Sequence, residues 1–296
     1  MTTRFVDTAL LRVGFEAGGP ENGFPVILAH GWPDDPRTWD PVLPALHGAG
    51  LRTYAPWLRG YGPTRFLSER TPRSGQLVAL GRDLVDFAAA LRLGRYALVG
   101  HDWGSRAAYI ASSLDEANVA ACVALSTGYG TNSPGQTLSY PQTQNYWYHW
   151  LMATARGDRL VREDRRGFTR HIWNEWFVAY HPGTEEFERT AMSFDNPDWA
   201  SITLHSYRVR WGHAAGDPSY AELEARFDPA PKQRVPTLTL HGALDPVNLP
   251  RMSEGKEGFF AGPYERRLVA GAGHFPQREC PSDVAPQIVD WLRRHR

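Results

Sequence analysis

The stretch Val99-Gly100-His101-Asp102-Trp103-Gly104 decides the fold. An apolar run at residues 96–99 precedes it, and residues 104–113 have the composition of a helix. The pattern predicts a tight turn between a buried strand and a helix, with glycines where the backbone is crowded. Such a turn raises its central side chain above the carboxyl ends of the strands, where open α/β sheets bind ligands. Asp102 is therefore a candidate nucleophile, although an aspartate at this place could also simply cap the helix.

Short apolar runs alternate with amphipathic segments on both sides of this turn. We predict strands at residues 25–30, 51–55, 96–99, 119–125, 237–240 and 264–269, and helices at residues 38–47, 74–93, 104–113 and 284–296. The alternation stops between about residues 131 and 227, where a segment rich in Trp, Tyr, His and Arg is mostly helical. The sequence thus predicts an α/β core, residues 1–130 and 228–296, with a mostly parallel sheet that a helical insertion, residues 131–227, interrupts.

An aspartate at the turn implies a particular chemistry. A carboxylate is already ionised near pH 7 and can displace a leaving group at saturated carbon without a base. The product of that attack is an alkyl ester of the enzyme, which must then be hydrolysed. A histidine is consequently needed to activate water in the second half of the reaction.

Two later segments supply the partners that this chemistry needs. Asp245 follows the strand at residues 237–240, and His274 lies on a glycine-rich loop after the strand at residues 264–269. Asp245 could be only a turn-forming residue before Pro246, and His274 only a hydrogen-bonded loop histidine. Their order after Asp102 is the one that a nucleophile, acid and histidine triad follows in folds with this turn.

Two backbone N–H groups are candidates for an oxyanion hole, the pair of donors that stabilises charge during ester hydrolysis. One belongs to Trp103, directly after the nucleophile. The other belongs to Trp32, in His30-Gly31-Trp32-Pro33, which follows the first predicted buried strand. This second motif could alternatively be a turn whose geometry Pro33 fixes.

The bulk composition excludes several classes of function. Lys plus Arg equals Asp plus Glu at 32 each, so the formal net charge is zero and no nucleic-acid or anionic-membrane footprint is expected. Only two cysteines are present, and neither a signal peptide nor an apolar run long enough to span a bilayer is visible, so we expect a cytoplasmic protein. No metal or other cofactor is expected, and a homodimer is left open.

These motifs resemble the epoxide hydrolase and haloalkane dehalogenase branch of the α/β-hydrolase fold, and the resemblance covers nearly the whole chain. Its carriers are His30-Gly-Trp-Pro33, Arg59-Gly-Tyr-Gly62, Gly100-His-Asp-Trp-Gly104, Asp245 and His274. The resemblance implies an α/β-hydrolase with a helical cap, a covalent aspartyl ester on Asp102 and a small hydrophobic substrate. One departure is Ala55-Pro56-Trp57, since many relatives have Asp after this proline.

The leaving group separates the two reactions of this branch. Epoxide hydrolases donate hydrogen bonds to the departing oxygen from two cap tyrosines, and the resemblance assigns Tyr207, which directly precedes an arginine, and Tyr148, with Tyr146 as a rival. A dehalogenase would use Trp103 and a cap tryptophan as N–H donors. We expect epoxide hydrolysis, with dehalogenation, another hydrolysis or non-catalytic ligand binding as alternatives. The residues expected to line the substrate pocket are His30, Trp103, Tyr146 and Trp150.

Overall fold

A mixed sheet forms the centre of the molecule. The computed structural model describes residues 2–131 and 135–296, and these residues form nine strands. The strands are β1 (Arg4–Asp7), β2 (Leu11–Gly18), β3 (Phe24–Ala29), β4 (Leu51–Pro56), β5 (Arg65–Phe66), β6 (Tyr96–His101), β7 (Val119–Leu125), β8 (Thr237–Gly242) and β9 (Tyr264–Val269). Their order in the sheet is β1-β2-β4-β3-β6-β7-β8-β9, and β5 pairs with β2.

The direction of the strands determines where functional side chains can meet. β1, β2 and β5 are antiparallel to their neighbours, whereas the pairs from β4 through β3, β6, β7 and β8 to β9 are all parallel. The carboxyl ends of these parallel strands therefore lie at one edge of the sheet. The loops after β3, β6, β8 and β9 all leave from that edge, and they carry Trp32, Asp102, Asp245 and His274.

Helices cover both faces of the sheet. The helices outside the long segment between β7 and β8 are α1 (Leu43–Gly48), α2 (Leu77–Ala90), α3 (Trp103–Leu114), α11 (Pro276–Glu279) and α12 (Pro281–His295). All six residues of β6 are buried, as expected for a central parallel strand. Because side chains alternate along a strand, Leu98 joins the apolar cluster beside α2 and α3, and Val99 joins the one beside α1 and α12.

The segment between β7 and β8 is helical. Its helices are α4 (Tyr140–Asn145), α5 (Trp147–Met152), α6 (Ala155–Glu163), α7 (Arg165–Trp176), α8 (Thr184–Ala191), α9 (Trp199–Arg210) and α10 (Ala221–Ala225). We call residues 140–225 the helical insertion. Residues 132–134, beside the predicted domain boundary, lie outside the described residues, and the division into two domains stays a prediction.

The α/β-hydrolase architecture expected from the sequence is confirmed, but the bounds of two predicted helices need correction and one pair of strands was missed. The predicted helix at residues 38–47 is a 3-10 turn, Pro36–Trp39, followed by α1, because Pro41 and Pro44 cannot donate the hydrogen bonds that a continuous helix needs. The helix predicted at residues 74–93 is only α2. The hairpin of β1 and β2 was missed, although the alternation from Leu11 to Phe15 is typical of a half-buried strand.

Within residues 2–131 and 135–296, no helix combines the length and the apolar composition that crossing a membrane requires.

Candidate active site

Asp102 lies on a strained turn between β6 and α3. Its backbone has φ 47° and ψ −110°, a conformation that residues with a side chain rarely adopt. A methyl group on Gly104 would come 2.0 Å from the Ala29 carbonyl oxygen, and one on Gly100 would come 2.2 Å from the Gly104 carbonyl oxygen. The glycines of the motif are therefore required by close backbone contact, as the sequence predicts. The turn leaves the Asp102 side chain buried but free of any helix-capping hydrogen bond.

The loops after β8 and β9 bring Asp245 and His274 to the same point. His274 Nδ1 lies 2.9 Å from Asp245 Oδ2, and His274 Nε2 lies 3.9 Å from Asp102 Oδ2. Because a carboxylate can only accept, Nδ1 carries the proton, and Nε2 of the neutral ring is a free base that faces Asp102. Nε2 has no hydrogen-bond partner among the described residues. One water molecule could bridge the 3.9 Å gap, which is the geometry of general-base catalysis.

Hydrogen bonds and charge fix the ionisation of this pair. Asp245 Oδ1 accepts from the backbone N–H groups of Val247 and Asn248, at 2.8 and 3.0 Å. Burial by itself would raise the pKa of Asp245, but His274 and His241 bring it well below its usual range. Burial would likewise lower the pKa of His274, but the nearby carboxylates, first Asp245 and then Asp102 and Glu279, together raise it from its ordinary value. The acid thus stays ionised and makes His274 a stronger base.

The loop that carries His274 is held by buried side chains from neighbouring strands. His101 Nε2 and Ser126 Oγ both donate to the His274 carbonyl oxygen, at 2.8 Å each. The His274 ring packs edge to face against Trp176 of α7, with ring centroids 4.8 Å apart. Trp176 was not anticipated from the sequence, because its position depends on how α7 packs over the sheet.

One predicted oxyanion donor points at the nucleophile. The backbone N–H of Trp32 donates to Asp102 Oδ1 at 3.0 Å. A methyl group on Gly31 would lie 2.7 Å from Asp102 Cβ, so only glycine lets this loop approach so closely. Since Trp32 engages Oδ1, the second oxygen, Oδ2, is the one left for attack. The Trp103 backbone follows Asp102 directly at the first position of α3.

Tyr207 and Tyr148 stand above Asp102 in an aromatic cluster. The Tyr207 hydroxyl oxygen accepts from Trp103 Nε1 at 3.2 Å, so its own proton remains available for donation. The rings of Tyr148 and Tyr207 meet edge to face at 5.4 Å, and Tyr148 stacks on Trp32 at 5.5 Å. Burial, with smaller contributions from Asp102, raises the pKa of both hydroxyls well above 10, so both are proton donors at neutral pH.

The other predicted pocket residues have defined partners elsewhere. The Tyr146 hydroxyl donates to Asn248 Oδ1 at 2.6 Å, and Trp150 Nε1 donates to the Thr143 carbonyl oxygen at 2.9 Å. His30 Nε2 accepts from the Leu58 N–H, so its Nδ1 donates to the Gly31 carbonyl oxygen, and burial lowers its pKa to about 4. His30 is thus a neutral residue that holds the loop after β3.

Sequence reasoning also missed His149. It lies between Tyr146 and Tyr207, with ring centroids 4.2 and 4.5 Å away, and burial lowers its pKa well below 6.5. Its Nδ1 accepts from Trp211 Nε1 at 3.0 Å. The available signal was that His149 directly follows Tyr148, an expected catalytic residue. Its side chain could not be placed from the sequence, because the helix register was unknown.

Comparison with known proteins places these observations in a family. The model of the alpha/beta hydrolase fold family matches residues 25–280. A solved structure from Klebsiella pneumoniae, provisionally named an epoxide hydrolase, is 36% identical with a TM-score of 0.92, and the alignment covers 98% of this chain and 97% of that one. Epoxide hydrolase A of Mycobacterium tuberculosis is 28% identical over 98% of this chain and 97% of its own length. An epoxide hydrolase of Caballeronia sordidicola is 26% identical over 96% and 90%.

Proposed function

The chain belongs to the α/β-hydrolase family and is a hydrolase, and we propose that it opens epoxides to vicinal diols through an ester on Asp102. The observation that carries the proposal is the position of Tyr207. Its hydroxyl accepts a hydrogen bond from Trp103, the residue next to Asp102, and so its own proton is free for a departing oxygen above the nucleophile. The epoxide hydrolase names of the full-length relatives point to the same reaction.

In the first half-reaction, Asp102 Oδ2 attacks an epoxide carbon, and the bond from that carbon to the ring oxygen breaks. The ring oxygen takes the proton of Tyr207, with Tyr148 as a second hydrogen-bond donor. The raised pKa of each tyrosine matches this role, because both hydroxyls stay protonated until the substrate arrives. The other oxygen, Oδ1, becomes the ester carbonyl oxygen and keeps its hydrogen bond from the Trp32 N–H.

In the second half-reaction, His274 Nε2 takes a proton from water, and the resulting hydroxide attacks the carboxyl carbon of Asp102. The N–H groups of Trp32 and Trp103 stabilise the charge that develops on Oδ1. Collapse returns the proton from His274 to the diol, and the proton left on the Asp102 carboxyl restores Tyr207. Asp245 stabilises the protonated imidazole throughout.

The helical insertion acts in this proposal as a cap. It contributes Tyr148, Trp176 and Tyr207, each at most 3% exposed, and together with Trp32 and Trp103 they enclose Asp102 in aromatic rings. Such surroundings favour a hydrophobic substrate and exclude bulk water from the ester. The Tyr146 ring packs edge to face against Tyr148 with centroids 6.4 Å apart, whereas His30 holds the loop that carries Trp32.

Halide displacement remains the second candidate on the same nucleophile, since Trp32 Nε1 has no hydrogen-bond partner among the described residues. The hydrogen bond from Trp103 Nε1 to Tyr207 favours the epoxide, because a halide would have to take that N–H away from the tyrosine.

A cytoplasmic location also fits, since Cys122 and Cys280 are both free thiols. A homodimer can be tested by light scattering.

The test compares styrene oxide and 1-bromobutane as substrates of the wild type, Tyr207→Phe and Tyr146→Phe. Loss of the Tyr207 hydroxyl should lower diol formation by about 10²-fold or more, because a proton donor to the leaving oxygen is removed. Tyr146→Phe is the matched control, since its hydroxyl donates to Asn248, and it should retain most of the activity. Bromide release with no diol would replace the proposal with dehalogenation, and full activity of Tyr207→Phe would refute the role of this tyrosine.

A further inference from the structure

Four arginines of the described residues are buried, and two of them lack an acidic partner. Arg59 forms a bidentate pair with Asp83, and Arg278 pairs with Asp34 and Glu186. Arg106 and Arg210, only 7% and 8% exposed, have no ion pair within 4.0 Å in residues 2–131 and 135–296, and the Asp102 carboxylate acts on Arg106 only at longer range.

Neither guanidinium is satisfied by neutral partners. Arg106 donates through Nη1 to the carbonyl and hydroxyl of Thr131, at 2.9 and 3.2 Å, and in the part of the chain that the structure describes Arg210 donates only to Ser206 Oγ, at 3.4 Å. The Nε of each arginine has no hydrogen-bond partner among the described residues. Residues 132–134, which lie outside the description, are Asn, Ser and Pro, and none of them has a carboxylate side chain. A buried cation without a counter-ion is costly, so the arrangement indicates a ligand.

Both arginines line a cavity of about 680 Å³ between α3 and the helical insertion. Its apolar walls include Ile110, Val209 and Phe227, and its volume suits a small organic molecule. Two acidic side chains, Glu224 and Asp228, also line the cavity. Gln76 Nε2 donates to Glu224 at 3.1 Å, and neither carboxylate forms an ion pair with Arg106 or Arg210. The arginine end of the cavity therefore keeps its positive charge.

Two helices, α3 and α9, place the cavity next to the proposed reaction centre. Arg106 lies one turn after Asp102, and its backbone N–H donates to the Asp102 carbonyl oxygen at 3.1 Å. Arg210 lies one turn after Tyr207, and its guanidinium carbon is 4.9 Å from the centre of the Tyr207 ring. Each arginine is thus one helical turn, about 5 Å along its helix, from a residue of the proposed reaction centre.

We propose that Arg106 and Arg210 form a carboxylate subsite and that the enzyme acts on epoxides that carry an organic acid group. The Nε edge of a guanidinium presents two parallel N–H groups that match the two oxygens of a carboxylate. The apolar walls take the hydrocarbon body that joins the carboxylate to the epoxide. The substrate part of this inference rests on the proposed function, whereas the binding part does not.

The kinetic test measures kcat/KM for 4-(oxiran-2-yl)benzoate and for its methyl ester, which lacks the charge. The wild type should prefer the acid, and Arg106→Met and Arg210→Met should each reduce the acid-over-ester ratio about tenfold or more. Arg208→Met is the matched control on α9, because Arg208 pairs with Asp158 at 2.9 Å, and its ratio should equal that of the wild type. Equal preference for acid and ester in the wild type would overturn the proposal.

Binding and stability separate this proposal from the proposed reaction. Calorimetric titration with 4-ethylbenzoate, which cannot react, should show one site per chain in the wild type and none in Arg106→Met or Arg210→Met. Their Tm without ligand should equal or exceed that of the wild type, since each removes an unpaired buried charge, whereas Arg208→Met should lower Tm. Binding without epoxide turnover would keep the subsite and refute the reaction. A lower Tm in both arginine variants with unchanged 4-ethylbenzoate affinity would show a structural role instead.

Discussion

Replacing His274 with glutamine tests whether the reaction has two separable halves. Asp102 attacks as a carboxylate and needs no base, and the Trp32 N–H that holds its Oδ1 is unaffected by the change. Glutamine keeps an N–H donor for Asp245 and has a similar volume, so the buried site should stay intact. It has no basic nitrogen, however, and water beside the ester is no longer activated.

The expected size of the effect follows from this loss. Removing a general base slows the step that it serves by about 10²- to 10⁴-fold. Ester hydrolysis should therefore become slow relative to alkylation, and styrene oxide should be consumed in a burst of one equivalent per active site. Mass spectrometry should find the protein heavier by one styrene oxide molecule, and peptide mapping should place the adduct on Asp102.

Isotope labelling and a second variant make the test decisive. In H₂¹⁸O, a single turnover of the wild type should give unlabelled diol and leave ¹⁸O in the Asp102 carboxylate, because hydroxide attacks the carboxyl carbon. Asp102→Asn should give neither burst nor adduct. The reasoning is refuted when His274→Gln, folded as judged by its circular dichroism, gives no adduct, or when the label enters the diol in the first turnover.

Two other predictions follow from the geometry of the same loops. The acidic limb of the wild-type pH–rate profile should lie at higher pH than the pKa of an ordinary histidine, because hydrolysis needs neutral His274 and the Asp245 carboxylate raises the pKa of this ring. Asp245→Asn should move the limb to lower pH, and an unmoved limb would assign it to another group. Gly104→Ala should destabilise the fold by about 3 kcal/mol or more in urea titrations, because its methyl group would lie 2.0 Å from the Ala29 carbonyl oxygen. Gly48→Ala, in open space on α1, should instead stabilise by up to about 1 kcal/mol, and similar losses for both would contradict the packing argument.

The arrangement of Asp102, Asp245 and His274 could be anticipated because each residue directly follows a strand. Strand ends are marked locally in a sequence, by an apolar run that stops at glycine or proline. Parallel pairing then places all three carboxyl ends at one edge. No knowledge of long-range side-chain packing is needed for that step.

The aromatic residues of the helical insertion could not be placed in this way. Tyr146 lies between α4, which ends at Asn145, and α5, which begins at Trp147, so the helix register restarts at this residue. A periodic pattern read through this break cannot tell which tyrosine faces Asp102. The unpaired state of Arg106 and Arg210 was equally invisible, because ion pairing depends on which acids the tertiary fold brings near.

The route of the chain between β7 and β8 has a consequence for how this protein can change. These strands are parallel neighbours, with Leu125 opposite Leu240, so some crossover of about a dozen residues is needed between them in any case. Extending it to roughly 110 residues costs only about 2 kcal/mol of loop-closure entropy, and the apolar packing of α5, α7 and α9 offsets that cost. Evolution can therefore replace the whole substrate-facing wall by exchanging one connection, while the strands that align nucleophile, base and acid keep their register.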